Sequence, residues 1–247
     1  MPEILIYGAG AIGSFMGYLL SEGPSAAEGM IENVGLLGRE GHIKKIRERG
    51  LEIAFPDGAK SFRFKNCFSS LEELAASDFY PEMVMVCVKA YSLPALCQEL
   101  AGSGLPEGRL RDAAFLLLMN GMGNKEAFSA LRLPASRLLE GITSVGVKLS
   151  GEGRIELKGW GKTVVEARLD AGMQKYMSGR LAEKGFEAEF ADDFATQQWN
   201  KLFVNAVINP ITALTRQENG IVLSQSLQPT VRQIVREAVG VAACEGA

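Results

Sequence analysis

The chain opens on four apolar residues, Ile4-Leu5-Ile6-Tyr7, followed by the small residues Gly8-Ala9-Gly10-Ala11-Ile12-Gly13 and a largely apolar stretch from Ser14 to Leu20. A short apolar run, a glycine turn and a longer apolar segment predict strand, tight turn and helix. Ser21 to Glu32, rich in Gly, Ser, Ala and acids, predicts a loop extension. Asn33 to Gly38 predicts a second strand, and the charged segment Gly41 to Arg49 a helix. Leu51 to Phe64 alternates around Pro56-Asp57-Gly58, a hairpin signal. Met83 to Val88 and Ala113 to Met119 are continuous apolar runs, expected of strands covered on both faces, with a helical segment, Leu93 to Leu100, between them. Gly141 to Lys148 and Arg154 to Glu166 predict further strands, with Gly151, Gly153, Gly159 and Gly161 marking turns; Gln174 to Lys184 predicts a helix and Phe186 to Phe190 a short strand. Strands alternating with helices indicate an α/β protein with a doubly wound parallel sheet. From Asp192 the pattern changes. Thr196 to Leu214 is long, apolar and helical, Val231 to Ala243 reads as an amphipathic helix, and no strand pattern returns. Two domains are expected, 1–191 and an all-helical 192–247.

Composition narrows the function. Of 247 residues, 47% are hydrophobic and 22% charged, enough apolar material for a sizeable core. A formal net charge of -3 gives no global attraction to nucleic acid or to a membrane surface. No apolar run is long enough for a membrane span and no signal peptide is visible, so a cytoplasmic location is expected. Cys67, Cys87, Cys97 and Cys244 form no C-x-x-C pair, which favours reduced thiols over a disulfide framework or a zinc site. His42 is the single histidine, so a metal site needing two is excluded, and no metal is expected. Its setting, Arg39-Glu40-Gly41-His42, predicts a solvated surface side chain.

The glycine turn carries the first chemistry. G-x-G-x-x-G directly after a strand and at the start of a helix is the context a dinucleotide needs, which makes the sheet Rossmann-like. Gly8 permits the tight turn, Gly10 lets backbone approach a pyrophosphate, and Gly13 lets helix and strand pack closely, so Gly8, Ala9, Gly10, Ala11, Ile12 and Gly13 are candidate cofactor-binding residues. The second strand ends Leu36-Leu37-Gly38-Arg39, and Arg39 lies 26 residues after Gly13 (39 − 13), a distance lengthened by the loop extension. A guanidinium there matches a 2′-phosphate and favours NADP; Glu40 next to it is an acidic competitor.

Ligands of open α/β sheets bind beyond the carboxyl ends of the strands. The run Met83 to Val88 ends at Lys89, and Ala113 to Met119 ends at Asn120-Gly121-Met122-Gly123, so Lys89 and Asn120 are expected on the rim of the glycine turn, positioned for cofactor or substrate. Taken singly, each also reads as a loop residue making turn hydrogen bonds. In the helical domain, Lys201, Asn205 and Asn209 are the polar residues of an otherwise apolar stretch, and a spacing of four sets them on one helical face. Pro210 is expected to kink or break that helix. Two interpretations stand: a lysine at the water edge of a core helix with two structural amides, or a proton donor with substrate-holding amides.

Together these segments resemble the ketopantoate reductase family. The resemblance rests on Gly8 to Gly13, Val88-Lys89-Ala90, Asn120-Gly121-Met122-Gly123 and, most specifically, Trp199-Asn200-Lys201-Leu202-Phe203-Val204-Asn205-Ala206-Val207-Ile208-Asn209-Pro210-Ile211-Thr212-Ala213. It implies NADPH-dependent reduction of 2-dehydropantoate to (R)-pantoate, a step toward pantothenate and coenzyme A. It further implies Lys201 as general acid, Asn205 and Asn209 holding the substrate or the lysine, Lys89 and Asn120 lining the cofactor and substrate cleft, and Arg39 meeting the 2′-phosphate. A small 2-keto acid is the implied substrate, and a homodimer through the helical domain is one further expectation. The family's pattern also leads us to expect a helical domain cut short at Ala247, without the serine and glutamate that hold substrate in family members. Another NADP-linked 2- or 3-hydroxyacid dehydrogenase, or a non-catalytic NADP-binding protein, are the alternatives.

Overall fold

A computed structural model of the chain describes residues 1–22 and 30–246, in two compact units, Met1–Asp192 and Asp193–Ala247. Residues 23–29 of the expected loop extension lie outside the described residues.

In the first unit the glycine turn joins β1 (Ile4–Tyr7) to α1 (Ala11–Leu20). Next come β2 (Met30–Leu37), α2 (Glu40–Arg49), the hairpin β3 (Leu51–Phe55) and β4 (Gly58–Phe68), a short α3 (Leu71–Ala75) and β5 (Met83–Val86). The chain continues through α4 (Leu93–Ser103), β6 (Ala114–Leu118), β7 (Leu138–Thr143), β8 (Gly146–Gly151), β9 (Arg154–Gly159), β10 (Lys162–Glu166), α5 (Ala171–Glu183) and β11 (Glu187–Ala191). The second strand begins at Met30 rather than Asn33, so Glu32, expected in a loop, is part of β2. Gly141 to Lys148 and Arg154 to Glu166 each prove to be parts of two strands. Thr143 ends β7 before β8, and Trp160-Gly161 separates β9 from β10.

The strands form one sheet in the order β11-β10-β7-β6-β5-β1-β2-β4-β3-β9-β8. Its centre, from β7 to β4, is parallel throughout, and β1, β5 and β6 are covered on both faces, which explains their unbroken apolar runs. Antiparallel partners extend both flanks: β10 beside β7, and β3 beside β4, continued by β9 and β8. Both flanks come back to α1. The Phe15 ring meets Phe55 of β3 at 6.5 Å and Phe186, just before β11, at 5.3 Å, while Tyr18 lies 4.4 Å from Phe62. The helix after the glycine turn is therefore wrapped in apolar surface, and its direction is set by residues far along the chain.

The amino group of Lys184 ends that wrapping. It donates to the carbonyls of Leu19 (3.0 Å) and Ser21 (2.8 Å), covering the carboxyl end of α1 where the helix dipole is negative. Burial pulls its pKa down to about 8.

The second unit consists of α6 (Phe194–Thr215) and α7 (Gln228–Cys244), which pack against each other, joined by short 3-10 turns. Asp193 caps α6 by accepting from the Thr196 amide (3.3 Å). Of the kink or break expected at Pro210, the break does not occur: α6 runs on to Thr215. The Thr212 hydroxyl donates back to the Ile208 carbonyl (2.8 Å), one turn earlier in the same helix.

Candidate active site

Strand register decides which loops share a rim. Tyr7 stands opposite Leu37 of β2 and Val86 of β5, and Val86 opposite Leu117 of β6. Gly8, Arg39, Lys89 and Asn120 therefore all follow the carboxyl ends of four adjacent parallel strands. Arg39, Lys89 and Asn120 are exposed there. Val88 packs directly on Gly8, where an added Cβ would stand 2.7 Å from the Val88 side chain, so Lys89 begins immediately beside the glycine turn.

The turn is built for close backbone approach. The amides of Gly8 and Ala9 both donate to the Leu37 carbonyl (2.9 Å each), tying the turn to the end of β2. Gly8 has φ +101°, a conformation that favours glycine. A Cβ at Gly13 would collide with the Gly8 carbonyl oxygen, so α1 can lie this near only with glycine there. A Cβ at Gly10, by contrast, would meet nothing within 4 Å among the described residues, and none of their side chains caps the helix that follows. The first amides of a helix have no acceptor within it, and they carry the positive end of its dipole. Open space in front of uncapped amides suits a dinucleotide pyrophosphate.

One residue departs from its sequence-based expectation. His42 is 6% exposed, not solvated. Its Nδ1 accepts from the Gly153 amide (3.0 Å), in the turn between β8 and β9, and its Nε2 lies 3.1 Å from the Ser14 hydroxyl on α1. Burial lowers its pKa; Glu152 nearby opposes this and Arg39 adds to it. Helical phase offered only a hint: His42 lies four residues before Ile46 on the buried face of α2, but Arg39, three residues before His42, is exposed.

The polar stripe of the second unit lies on α6 as the spacing predicts, at 201, 205 and 209. Lys201 and Asn205 are half-buried and Asn209 is exposed. Burial pulls the Lys201 pKa down to about 8.

A sizeable hollow lies elsewhere. A hollow of about 990 Å³ opens at the amino end of the sheet, beside Glu82, Ala114 and Leu139, opposite the glycine rim. Its three arginines are already engaged: Arg109 donates to the Phe79 and Ala75 carbonyls, Arg137 to those of Ala113 and Leu110, and Arg168 to the Ala135 carbonyl and the Glu166 carboxylate. Ligand chemistry therefore points to the rim, where the strand ends converge, rather than to this hollow.

A sheet with a parallel centre, a glycine turn opening its first helix, and further polar residues at adjacent strand ends define a dinucleotide-binding protein of the Rossmann-like class. Residues 4–169 match the family model "Ketopantoate reductase PanE/ApbA", and residues 193–247 its C-terminal counterpart. The chain belongs to the ketopantoate reductase family. It is 30% identical to a 2-dehydropantoate 2-reductase of Halobacterium salinarum, over 99% of this chain and 76% of the relative. It is 28% identical to one of Pyrococcus horikoshii, over 99% and 74%. Among solved structures, a PanE/ApbA family ketopantoate reductase from Ralstonia eutropha JMP134 superposes with a TM-score of 0.79 at 22% identity, covering 99% of this chain and 75% of that one. A D-mandelate dehydrogenase in a ternary structure with NADH and anilino(oxo)acetate superposes at 0.78 and 23%, covering 99% and 74%.

Proposed function

We propose that the chain reduces 2-dehydropantoate to (R)-pantoate with NADPH, the reaction that supplies pantoate for pantothenate and coenzyme A. Family membership supports the reaction class. The observation that carries the mechanism is Lys201: a half-buried lysine, pulled to about 8, with Asn205 and Asn209 at successive turns of the same helix.

We assign the pyrophosphate to the uncapped amides at Gly10 to Gly13 and the 2′-phosphate to Arg39, whose planar guanidinium matches phosphate oxygens. Lys89 and Asn120 are assigned to hold cofactor and substrate at the rim. When bound, NADPH supplies a hydride to the keto carbon. The chain's own task is the other half of the reduction. Lys201 holds a proton for the carbonyl oxygen and transfers it as negative charge develops there, so a free alkoxide is avoided. A pKa near 8 suits this role, because the group is mostly protonated near neutral pH yet gives its proton up more readily than an ordinary lysine. Asn205 and Asn209 are assigned to orient the substrate or the ammonium.

The test is NADPH oxidation followed at saturating cofactor with 2-dehydropantoate and with a panel of other 2- and 3-keto acids. Selective turnover of 2-dehydropantoate is expected. A higher kcat/KM on another keto acid would reassign the substrate, and dinucleotide binding without turnover of any would make the chain a binding protein.

A further inference from the structure

His42 joins three segments that are remote in sequence. Its backbone belongs to the first turn of α2, the turn that starts at Arg39: the Ile43 amide donates to the Arg39 carbonyl at 3.0 Å. Its Nε2 faces Ser14, whose own amide donates to the Gly10 carbonyl at 2.9 Å, one turn from the open face of the glycine loop. Its Nδ1 faces the Gly153 amide of the β8–β9 turn. A glycine allows this approach: a Cβ at Gly153, which has φ +71°, would stand 2.8 Å from the Lys45 side chain.

The partners settle the tautomer. A backbone amide can only donate, so Nδ1 must be an acceptor and carries no proton. The neutral ring then holds its proton on Nε2 and donates it to the Ser14 oxygen. A doubly protonated ring would set donor against donor at Gly153. The charged groups facing the ring are Glu152 from the β8–β9 turn and Arg39 from α2; α1 brings the neutral Ser14.

We propose that His42 is a positioning residue for the dinucleotide: it holds the first turn of α2, and with it Arg39, at a fixed offset from the glycine-turn helix, and anchors both on the β8–β9 turn. The inference rests on the assignment of the glycine turn and Arg39 to NADPH. Its physical content is that the two phosphate-reading elements, α1 and α2, are joined by one ring whose full set of hydrogen bonds exists only in the neutral state: protonation of Nδ1 keeps the bond to Ser14 but removes the anchor on Gly153. The cofactor seat should therefore loosen on acidification for a reason separate from titration of the ligand.

Cofactor affinity tests this, with NADPH fluorescence titrations of the whole chain at a series of pH values from about 7.5 to well below the ordinary histidine pKa of roughly 6.5, because burial lowers that of His42. His42→Ala should raise the NADPH Kd about fivefold or more, the ratio expected for a lost buried hydrogen bond, with kcat at saturating NADPH little changed. Ser14→Ala should weaken binding in the same direction. His42→Asn is the decisive variant, because an amide oxygen accepts from Gly153 at any pH. Its Kd should be close to wild type near neutrality and should rise less than wild type on acidification. The proposal is overturned if His42→Ala binds NADPH as tightly as wild type, or if the ratio of wild-type to His42→Asn affinity does not change with pH. If circular dichroism shows that His42→Ala does not fold, Ser14→Ala and His42→Asn decide between the same two outcomes. A wild-type chain that binds no dinucleotide would instead overturn the underlying cofactor assignment, and this inference with it.

Discussion

Lys201 offers the sharpest test of the chemistry. An exposed lysine titrates near 10.5, and burial brings this one to about 8. From that value, the protonated fraction is about nine-tenths at pH 7 and about one-tenth at pH 9, so a reduction needing the ammonium should slow by roughly tenfold across the interval. A lysine left at its ordinary pKa would lose only a few per cent of its protons there, so the two cases are well separated. The folded pKa lies below the unfolded value. The unfolded chain therefore binds more protons between about 8 and 10.5, and through this group stability rises with pH in that window. Slowing on the alkaline side is thus not unfolding driven by Lys201. The assay is kcat for 2-dehydropantoate reduction at saturating NADPH across this range, on wild type, Lys201→Ala and Lys201→Arg. Alanine should lower kcat by about 10²–10⁴-fold, the usual cost of a lost general acid, and leave NADPH affinity nearly unchanged. Arginine, protonated throughout, should leave a residual rate with no alkaline fall. A wild-type rate that stays flat to pH 10, or an alanine variant with near-normal kcat, refutes the proton-donor role.

Three further outcomes are expected. Arg39→Asp should weaken NADPH binding far more than NADH binding in parallel fluorescence titrations; equal losses would remove Arg39 from the 2′-phosphate. Gly13→Ala places a methyl group against the Gly8 carbonyl and should cost about 1–3 kcal/mol in urea unfolding together with much of the dinucleotide affinity. Wild-type stability with unchanged binding would show that the turn has room to move. Lys184→Met removes both bonds at the end of α1 and should destabilise by about 1–2 kcal/mol near neutral pH. Because the folded pKa of Lys184 is about 8, wild type should also gain stability from pH 8 toward 10.5 relative to Lys184→Met. A difference between the two that is independent of pH would contradict the burial of that amine.

Much of the scaffold is legible locally. A glycine turn between an apolar run and a helix is set by φ, by steric size and by the amides of one helix end, all properties of a few consecutive residues. The fully apolar runs at β5 and β6 report coverage on both faces, and a four-residue period suffices to place Lys201, Asn205 and Asn209 on one side of α6. Boundaries were less legible. The chain between Gly141 and Glu166 holds four strand segments, and its turns at Ser144-Val145 and Trp160-Gly161 are made by partners elsewhere: the Ser144 amide donates to the Lys162 carbonyl at 2.9 Å, and Gly161 lies against Ser144. Pro210 shows the opposite limit. Its helix-breaking tendency is real, yet a threonine two residues on, bonded back into the helix, accompanies an unbroken α6.

Residue order was enough for most of the elements, for their alternation, and for the rim on which Gly8, Arg39, Lys89 and Asn120 must meet, because parallel strands of one sheet carry their carboxyl ends to the same side. Packing in three dimensions was needed to set β9 beside β3, with β8 outside it, rather than beside β7, and to return both flanks to Phe15. The same holds for Lys184 at the end of α1, and for His42, buried instead of solvated. Each of these depends on a contact between residues far apart in the chain: His42 and Gly153 are separated by 111 positions, and Lys184 and Leu19 by 165. Local polarity reports the average preference of a side chain for water. A partner brought in by the fold can reverse that preference, and no local pattern records where the partner comes from.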